Sequence, residues 1–142
     1  MRAVVCHAFA PLDQLTVEEQ PSPPCGPGRL RVAVAAAGVN FVDALFVQGR
    51  YQIRPPVPFV PGSELAGTVV EVGDGVDGWP VGDRALANVG LGAFCSEAVV
   101  GAAQAVRVPD EVDLATAATL GQSYCTAWFS LVRRAALRAG QQ

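Results

Sequence analysis

The stretch Leu30-Arg31-Val32-Ala33-Val34-Ala35-Ala36-Ala37-Gly38-Val39-Asn40-Phe41-Val42-Asp43 changes its local structure partway along. Leu30 to Ala37 is rich in small and β-branched apolar residues and reads as a strand. Asn40 then offers an N-cap, and Asp43 three residues later can return the bond as in a capping box. Phe41 to Gln48 is therefore expected as a short helix, ended by Gly49.

Outward from this point the chain reads as mainly β. Ala3 to His7 and Leu15 to Glu19 are strand-like, and the Pro-rich break Pro21 to Gly28 separates them from Leu30. Downstream, Arg54 to Gly62 holds four prolines, which remove backbone donors and keep the segment extended, so it is expected to wrap over a surface rather than sit within a sheet. Leu65 to Val72 is β-branched and Gly73 to Gly82 supplies turns. Arg84 to Asn88, Phe94 to Val100 and Ala105 to Val108 can return as further strands. Short strands joined by glycine turns suggest a barrel or sandwich. From Asp113, a second N-cap candidate, Ala-rich sequence predicts two consecutive helices, with Tyr124, Trp128 and Leu131 on one face and Arg133 and Arg134 near the C-terminal end of the dipole. The close, Leu137 to Gln142, reads as a helix end with a glycine cap, and a following element is expected after it.

A hydrophobic fraction of 51% with 16% charged residues excludes a disordered chain. The longest apolar stretch, Val32 to Val39, is far short of the roughly 20 residues that span a bilayer, and no basic-then-apolar leader opens the chain, so a cytoplasmic protein without a membrane partner is expected. A net charge of -3 leaves no basic patch for a phosphate backbone, which makes nucleic acid an unexpected partner. All ten basic residues are Arg, a bias expected of a GC-rich, bacterial genome. Cys6, Cys25, Cys95 and Cys125 are scattered without a C-x-x-C pair and His7 is the only histidine, so no metal motif is visible and reduced, packed cysteines are expected.

Gly73-Asp74-Gly75-Val76-Asp77-Gly78 matches G-x-G-x-x-G after a predicted strand. A phosphate cradle needs a helix to start there, whereas Trp79-Pro80 and another turn follow, and two aspartates repel an anion. The plain turn between strands is the expectation.

Several motifs occur together in register. They are Gly38 to Asp43, Gly49-Arg50-Tyr51, Pro61 to Gly67, Val72 to Val76, Gly82-Asp83-Arg84, Ala93 to Glu97, Pro109-Asp110 and Thr126-Ala127-Trp128. In order and spacing the chain resembles the medium-chain dehydrogenase/reductase superfamily, specifically its quinone oxidoreductase branch. The resemblance implies a GroES-like, partly open β-barrel over residues 1–112 and a helical segment over 113–142 that leads to a Rossmann domain absent from this sequence. It further implies a cleft between those two domains, NADPH as cofactor, a quinone or other conjugated carbonyl as substrate, and a homodimer when full length.

Where zinc-dependent alcohol dehydrogenases of the superfamily place Cys, His and Cys on the catalytic metal, this chain carries Asn40, Ser63 and Gln122. None offers thiolate or imidazole, so the resemblance points to a zinc-free reductase. Polarising a carbonyl then falls to hydrogen-bond donors, with Tyr51 and Asn40 as candidates, Tyr51 being the catalytic choice. By resemblance Asn40, Asp43 and Thr126 border the nicotinamide end of the cofactor. Each has a plainer reading: Asn40 and Asp43 as helix caps, Thr126 bonding back to its own helix, Tyr51 as a rim aromatic. Glu64, beside a Pro-Gly turn, reads as a buried structural carboxylate accepting backbone bonds. Two other readings remain: an enoyl reductase of fatty-acid or polyketide type, whose motifs are similar to these, and a GroES-like binding or structural module with the same barrel, against which the cofactor-side motifs and the helical tail argue.

Overall fold

The computed structural model describes residues 1–141. Seven strands form: β1 (Arg2–Val5), β2 (Thr16–Glu19), β3 (Arg29–Gly38), β4 (Glu64–Val72), β5 (Arg84–Asn88), β6 (Glu97–Gly101) and β7 (Ala105–Arg107). They make a two-stranded ribbon, β1-β2, and a five-stranded antiparallel sheet in the order β6-β3-β4-β5-β7. This is the mainly β architecture expected.

Alternation along β3 explains the core. Leu30 and Val32 are fully buried and pack with Leu65, Val69, Ala85, Ala87, Ala98 and Val100 from the neighbouring strands. Burying a Leu or Val side chain of this kind contributes about 1.5–3 kcal/mol. The start of β4 departs from alternation, because Glu64 to Gly67 are all buried. Both faces are covered there: Leu65 lies in the main core, while Ala66 packs with Val108, Ala117 and Ala118.

The Phe94–Val100 expectation splits in two. Glu97–Gly101 pairs with β3, whereas Phe94 and Ser96 turn to β1, with the Val4 N–H on the Phe94 carbonyl at 2.9 Å and the Ser96 N–H on the Arg2 carbonyl at 2.8 Å. The proline-rich segment forms no strand, yet Phe59 exchanges two backbone bonds with Cys6 at 2.8 and 3.1 Å. Gly73 to Gly78 opens no helix, so the plain turn is what forms, with Gly75 and Gly78 at φ of 74° and 80°.

Helix α1 (Phe41–Val47) follows the expected start. Gly49 ends it at φ 64°, and a Cβ there would lie 2.8 Å from the Phe9 ring, so glycine serves both the turn and the packing. The tail differs from two regular helices. α2 (Leu114–Ala117) is capped by Asp113, whose carboxylate accepts the Thr116 N–H at 2.9 Å. Beyond it, a π-helical turn at Leu120–Tyr124, α3 (Cys125–Trp128) and a second π-helical turn at Phe129–Arg134 follow one another. The helical geometry stops at Arg134, Ala136 takes φ 50°, and Gly140 lies in a later turn rather than at a helix cap. Tyr124, Trp128 and Leu131 are 66%, 55% and 48% exposed, so their shared face lies largely open to solvent. Gln142 lies outside the described residues.

Candidate active site

One end of the sheet gathers the polar residues. Gly38 at the end of β3 pairs with Glu64 at the start of β4, and Glu64 pairs with Asn88 at the end of β5. Two residues past β3, Asn40 sits in extended conformation at the foot of α1. The Pro61-Gly62 turn, with Gly62 at φ 95°, delivers Ser63 and Glu64 to the same end. Asp43, Ser63 and Glu64 are 3%, 3% and 2% exposed and are the polar residues buried among those described.

Glu64 is the hub. Its Oε1 accepts from Asn40 Nδ2 at 2.8 Å, and its Oε2 accepts the Gln122 backbone N–H at 2.7 Å. The expected structural carboxylate is thus present, with one backbone and one side-chain donor. Asn40 Nδ2 also reaches Ser63 Oγ at 3.4 Å, and Asn40 Oδ1 accepts from Ser123 Oγ at 3.2 Å. Asn88 Nδ2 donates to Gln122 Oε1 at 3.3 Å. Gly38 makes room for this: a Cβ there would overlap Glu64 Oε1 and lie 2.7 Å from the Ala118 carbonyl oxygen.

The diversion of the Gln122 N–H to Glu64 falls within the first wide turn of the tail, at Leu120–Tyr124. A backbone donor spent on a side chain from β4 is lost to the helical ladder, and Gly121 lets that carboxylate approach. Wide turns of this type recur at functional sites.

Only half of the expected capping box forms. Asp43 Oδ2 accepts the Asn40 N–H at 2.8 Å, but the Asn40 side chain turns away to Glu64 and Ser63. Asp43 Oδ1 is buried without a hydrogen-bond partner among the described residues. Burial pushes the Asp43 carboxyl above the ordinary aspartate value. The Asn40 N–H and the Ser63 hydroxyl, the latter not aligned for a bond, pull it back, and the Glu64 charge pushes it further up.

The structure therefore brings Asn40, Asp43, Ser63 and Gln122 together. Ser123 and Asn88 join them, though no motif marked either. Thr126 is exposed on α3, one turn beyond Ser123 on the same face, and its hydroxyl makes no bond back to its helix among the described residues. Tyr51 lies past the other end of α1, half-buried, its ring 4.6 Å from that of Phe46 at 53°. The aromatic packing of its plainer reading is real, while its hydroxyl has no protein partner among the described residues. Both amide hydrogens of Asn40 are engaged, so of the two candidate donors Tyr51 is the free one. Around Asn40 the wall is apolar: Val39 and Phe41 are 82% and 81% exposed, and Val39 lines an open groove of ≈ 530 Å³ beside β1.

The side chains gathered around Glu64 do not fit a catalytic zinc. Asn40 and Ser63 supply neither thiolate nor imidazole, and the buried Glu64 carboxylate is occupied by N–H donors. Among the described residues no three His, Cys, Asp or Glu side chains are grouped so as to hold a metal ion. No helix among them is long and apolar enough to cross a membrane.

Residues 26–122 match the model of the alcohol dehydrogenase GroES-like domain. Quinone oxidoreductase-like protein 2 of mouse is 36% identical over 140 residues, covering 99% of this chain and 39% of that protein. The crystal structure of human synaptic vesicle membrane protein VAT-1 homolog-like protein superposes with a TM-score of 0.95 at 34% identity, covering 99% of this chain and 45% of that one. A mycobacterial protein solved in complex with NADPH gives a TM-score of 0.91 at 33% identity, covering 99% and 43%. The chain thus spans less than half the length of these proteins. They come from animals and bacteria alike and do not support the bacterial source expected from the arginine-only basic set. The chain belongs to the alcohol dehydrogenase GroES-like domain family, and its relatives are quinone oxidoreductase-like and VAT-1 members of the medium-chain dehydrogenase/reductase superfamily.

Proposed function

We propose that this chain is the substrate-side domain of a zinc-independent, NADPH-dependent oxidoreductase that reduces quinones or other conjugated carbonyls, acting with a dinucleotide-binding domain as part of a homodimer. The observation that carries the reading is the Glu64-centred cluster, in which the Asn40 amide and the Gln122 backbone N–H donate to Glu64 and the Ser63 hydroxyl accepts from Asn40, so that none of the three positions holds a thiolate or imidazole ligand. Its support from relatives is the quinone oxidoreductase-like mouse protein and the mycobacterial complex with NADPH.

When bound, the reduced nicotinamide supplies the hydride. Asn40, Asp43 and Thr126 would border its ring, with Asn40 held by Glu64 and Ser63 and Thr126 free on the α3 surface. The phenol of Tyr51, packed on Phe46 and carrying an unused hydroxyl, would donate to the substrate oxygen as negative charge develops there. Exposed Val39 and Phe41 supply an apolar wall suited to a flat, poorly hydrated ring.

The test is NADPH oxidation by the protein in which this domain is joined to a dinucleotide-binding fold. A quinone and an enoyl thioester are compared, each with and without a strong chelator. Turnover of the quinone that survives chelation is expected. Turnover of the thioester alone would move the assignment to an enoyl reductase, and loss of quinone turnover on chelation would remove the zinc-independent reading.

A further inference from the structure

We infer that Glu64 is a positioning residue that fixes the hydrogen-bond polarity of Asn40, holding the amide nitrogen inward so that the carbonyl oxygen is what Asn40 offers to a ligand. The inference goes beyond the proposed reduction and holds whichever cofactor or substrate is bound.

An Asn amide can be turned either way about its last torsion, so its orientation has to come from its neighbours. An ionised carboxylate has no hydrogen to give. With Glu64 Oε1 2.8 Å away, only the NH2 end of Asn40 can face it. The second amide hydrogen points to Ser63 Oγ at 3.4 Å, which leaves Oδ1 on the opposite side, where it accepts from the exposed Ser123 hydroxyl at 3.2 Å. Glu64 itself is held on both oxygens, since Oε1 takes the Asn40 amide at 2.8 Å and Oε2 the Gln122 N–H at 2.7 Å, and its side chain is 2% exposed.

Two consequences follow for chemistry. Asn40 accepts from a ligand N–H or O–H through Oδ1 and does not polarise a ligand carbonyl. Ser123, which no sequence motif marks, is the protein donor beside that oxygen, and its hydroxyl is the group a bound donor would share the carbonyl with.

The isosteric variant Glu64→Gln separates positioning from support. The introduced amide keeps its carbonyl on the Gln122 N–H and presents its NH2 toward Asn40, so Asn40 must flip and turn its own NH2 outward. The readout is hydrogen exchange of the Asn40 side-chain NH2 and of the Gln122 backbone N–H, followed by NMR on the purified chain. In the wild type both are expected to be protected. In Glu64→Gln the Asn40 signal is expected to exchange on the order of tenfold faster while Gln122 stays protected. A purely supporting Glu64 would leave Asn40 unchanged or release both, and either result overturns the inference. So does an Asn40 NH2 that already exchanges at a free-peptide rate in the wild type, a measurement needing no variant. As a second arm, Asn40→Asp sets carboxylate against carboxylate, and adding Glu64→Gln restores a donor. The double variant is expected to melt higher than Asn40→Asp alone, and a double variant that melts at or below the single counts against the inference.

Discussion

Gly38→Ala is the sharpest test of the site's packing, because two effects of known size oppose each other. Gly38 lies in β3 and is not among the residues at positive φ, so its backbone accepts alanine without strain. If nothing stood in the way, the stiffer unfolded chain would make the variant more stable by about 0.4–1 kcal/mol. The added Cβ, however, would overlap Glu64 Oε1, lie 2.8 Å from Glu64 Cδ and 2.7 Å from the Ala118 carbonyl oxygen. Neither neighbour can yield cheaply. Ala118 is backbone whose N–H closes α2 on Leu114 at 3.0 Å, and Glu64 is tied at both oxygens. Overpacking costs about 1–3 kcal/mol, and a lost hydrogen bond to a charged group about 1.5–3. The net expectation is destabilisation by about 2–5 kcal/mol. With an m-value of about 2 kcal/mol/M, the middle of the range for small proteins, the urea midpoint should fall by roughly 1–2.5 M. Gly26→Ala is the control, since a Cβ there meets nothing within 4 Å and its backbone is not at positive φ. It should gain the small unfolded-state term alone. A Gly38→Ala midpoint equal to or above that of the wild type, at unchanged m, would refute the crowding around Glu64.

Three further outcomes are expected. Burial raises the Asp43 carboxyl, so its contribution to stability is full below the ordinary value of 3.8 and is lost as pH rises through the higher folded-state value. Asp43→Asn should therefore gain stability relative to the wild type between about pH 4 and neutrality in thermal melts at a series of pH values, and parallel melting curves would rule this out. Tyr51→Phe keeps the ring on Phe46 and removes only a hydroxyl without a protein partner, so melting should be unchanged. Turnover in the two-domain protein should drop by about 10²–10³, the usual loss for one transition-state donor, and undiminished turnover would exclude the phenol as that donor. Trp128 and Leu131 are about half exposed, so replacing both with Ser should lower the light-scattering mass of the chain at high concentration without lowering its melting temperature, whereas an unchanged mass would show that this face does not drive association.

The strands were legible because their signal is local. Leu30 to Ala37 and Leu65 to Val72 are apolar, β-branched runs bounded by turns, and the structure places β3 and β4 on them. The start of α1 was legible for the same reason, since Asp43 closes its half of the capping box from three residues away. The other half was not. Whether the Asn40 side chain caps its helix or leaves it depends on Glu64, 24 residues further on. The tail failed on a longer reach still: its apolar spacing is helical, yet the Gln122 N–H is taken by a carboxylate 58 residues earlier, and the turn widens. Ser123 and Asn88 are single polar residues without a pattern, and only strand pairing and the descent of the tail onto the sheet end bring them to Asn40 and Gln122.

Glu64 also shows why this site resists simple replacement. It sits where β4 is covered on both faces, so an apolar residue of similar size would suit the packing. Yet Glu64→Leu would strand two donors, the Asn40 amide and the Gln122 N–H, each at about 1–3 kcal/mol when left without an acceptor. Asp43 is in the opposite position, with one oxygen bonded and one buried alone, so removing its charge relieves more than it breaks. Two carboxyls of similar burial, on adjoining elements, thus call for different replacements: Asp43 gains from losing its charge, whereas an apolar side chain at Glu64 leaves the donors that face it without an acceptor.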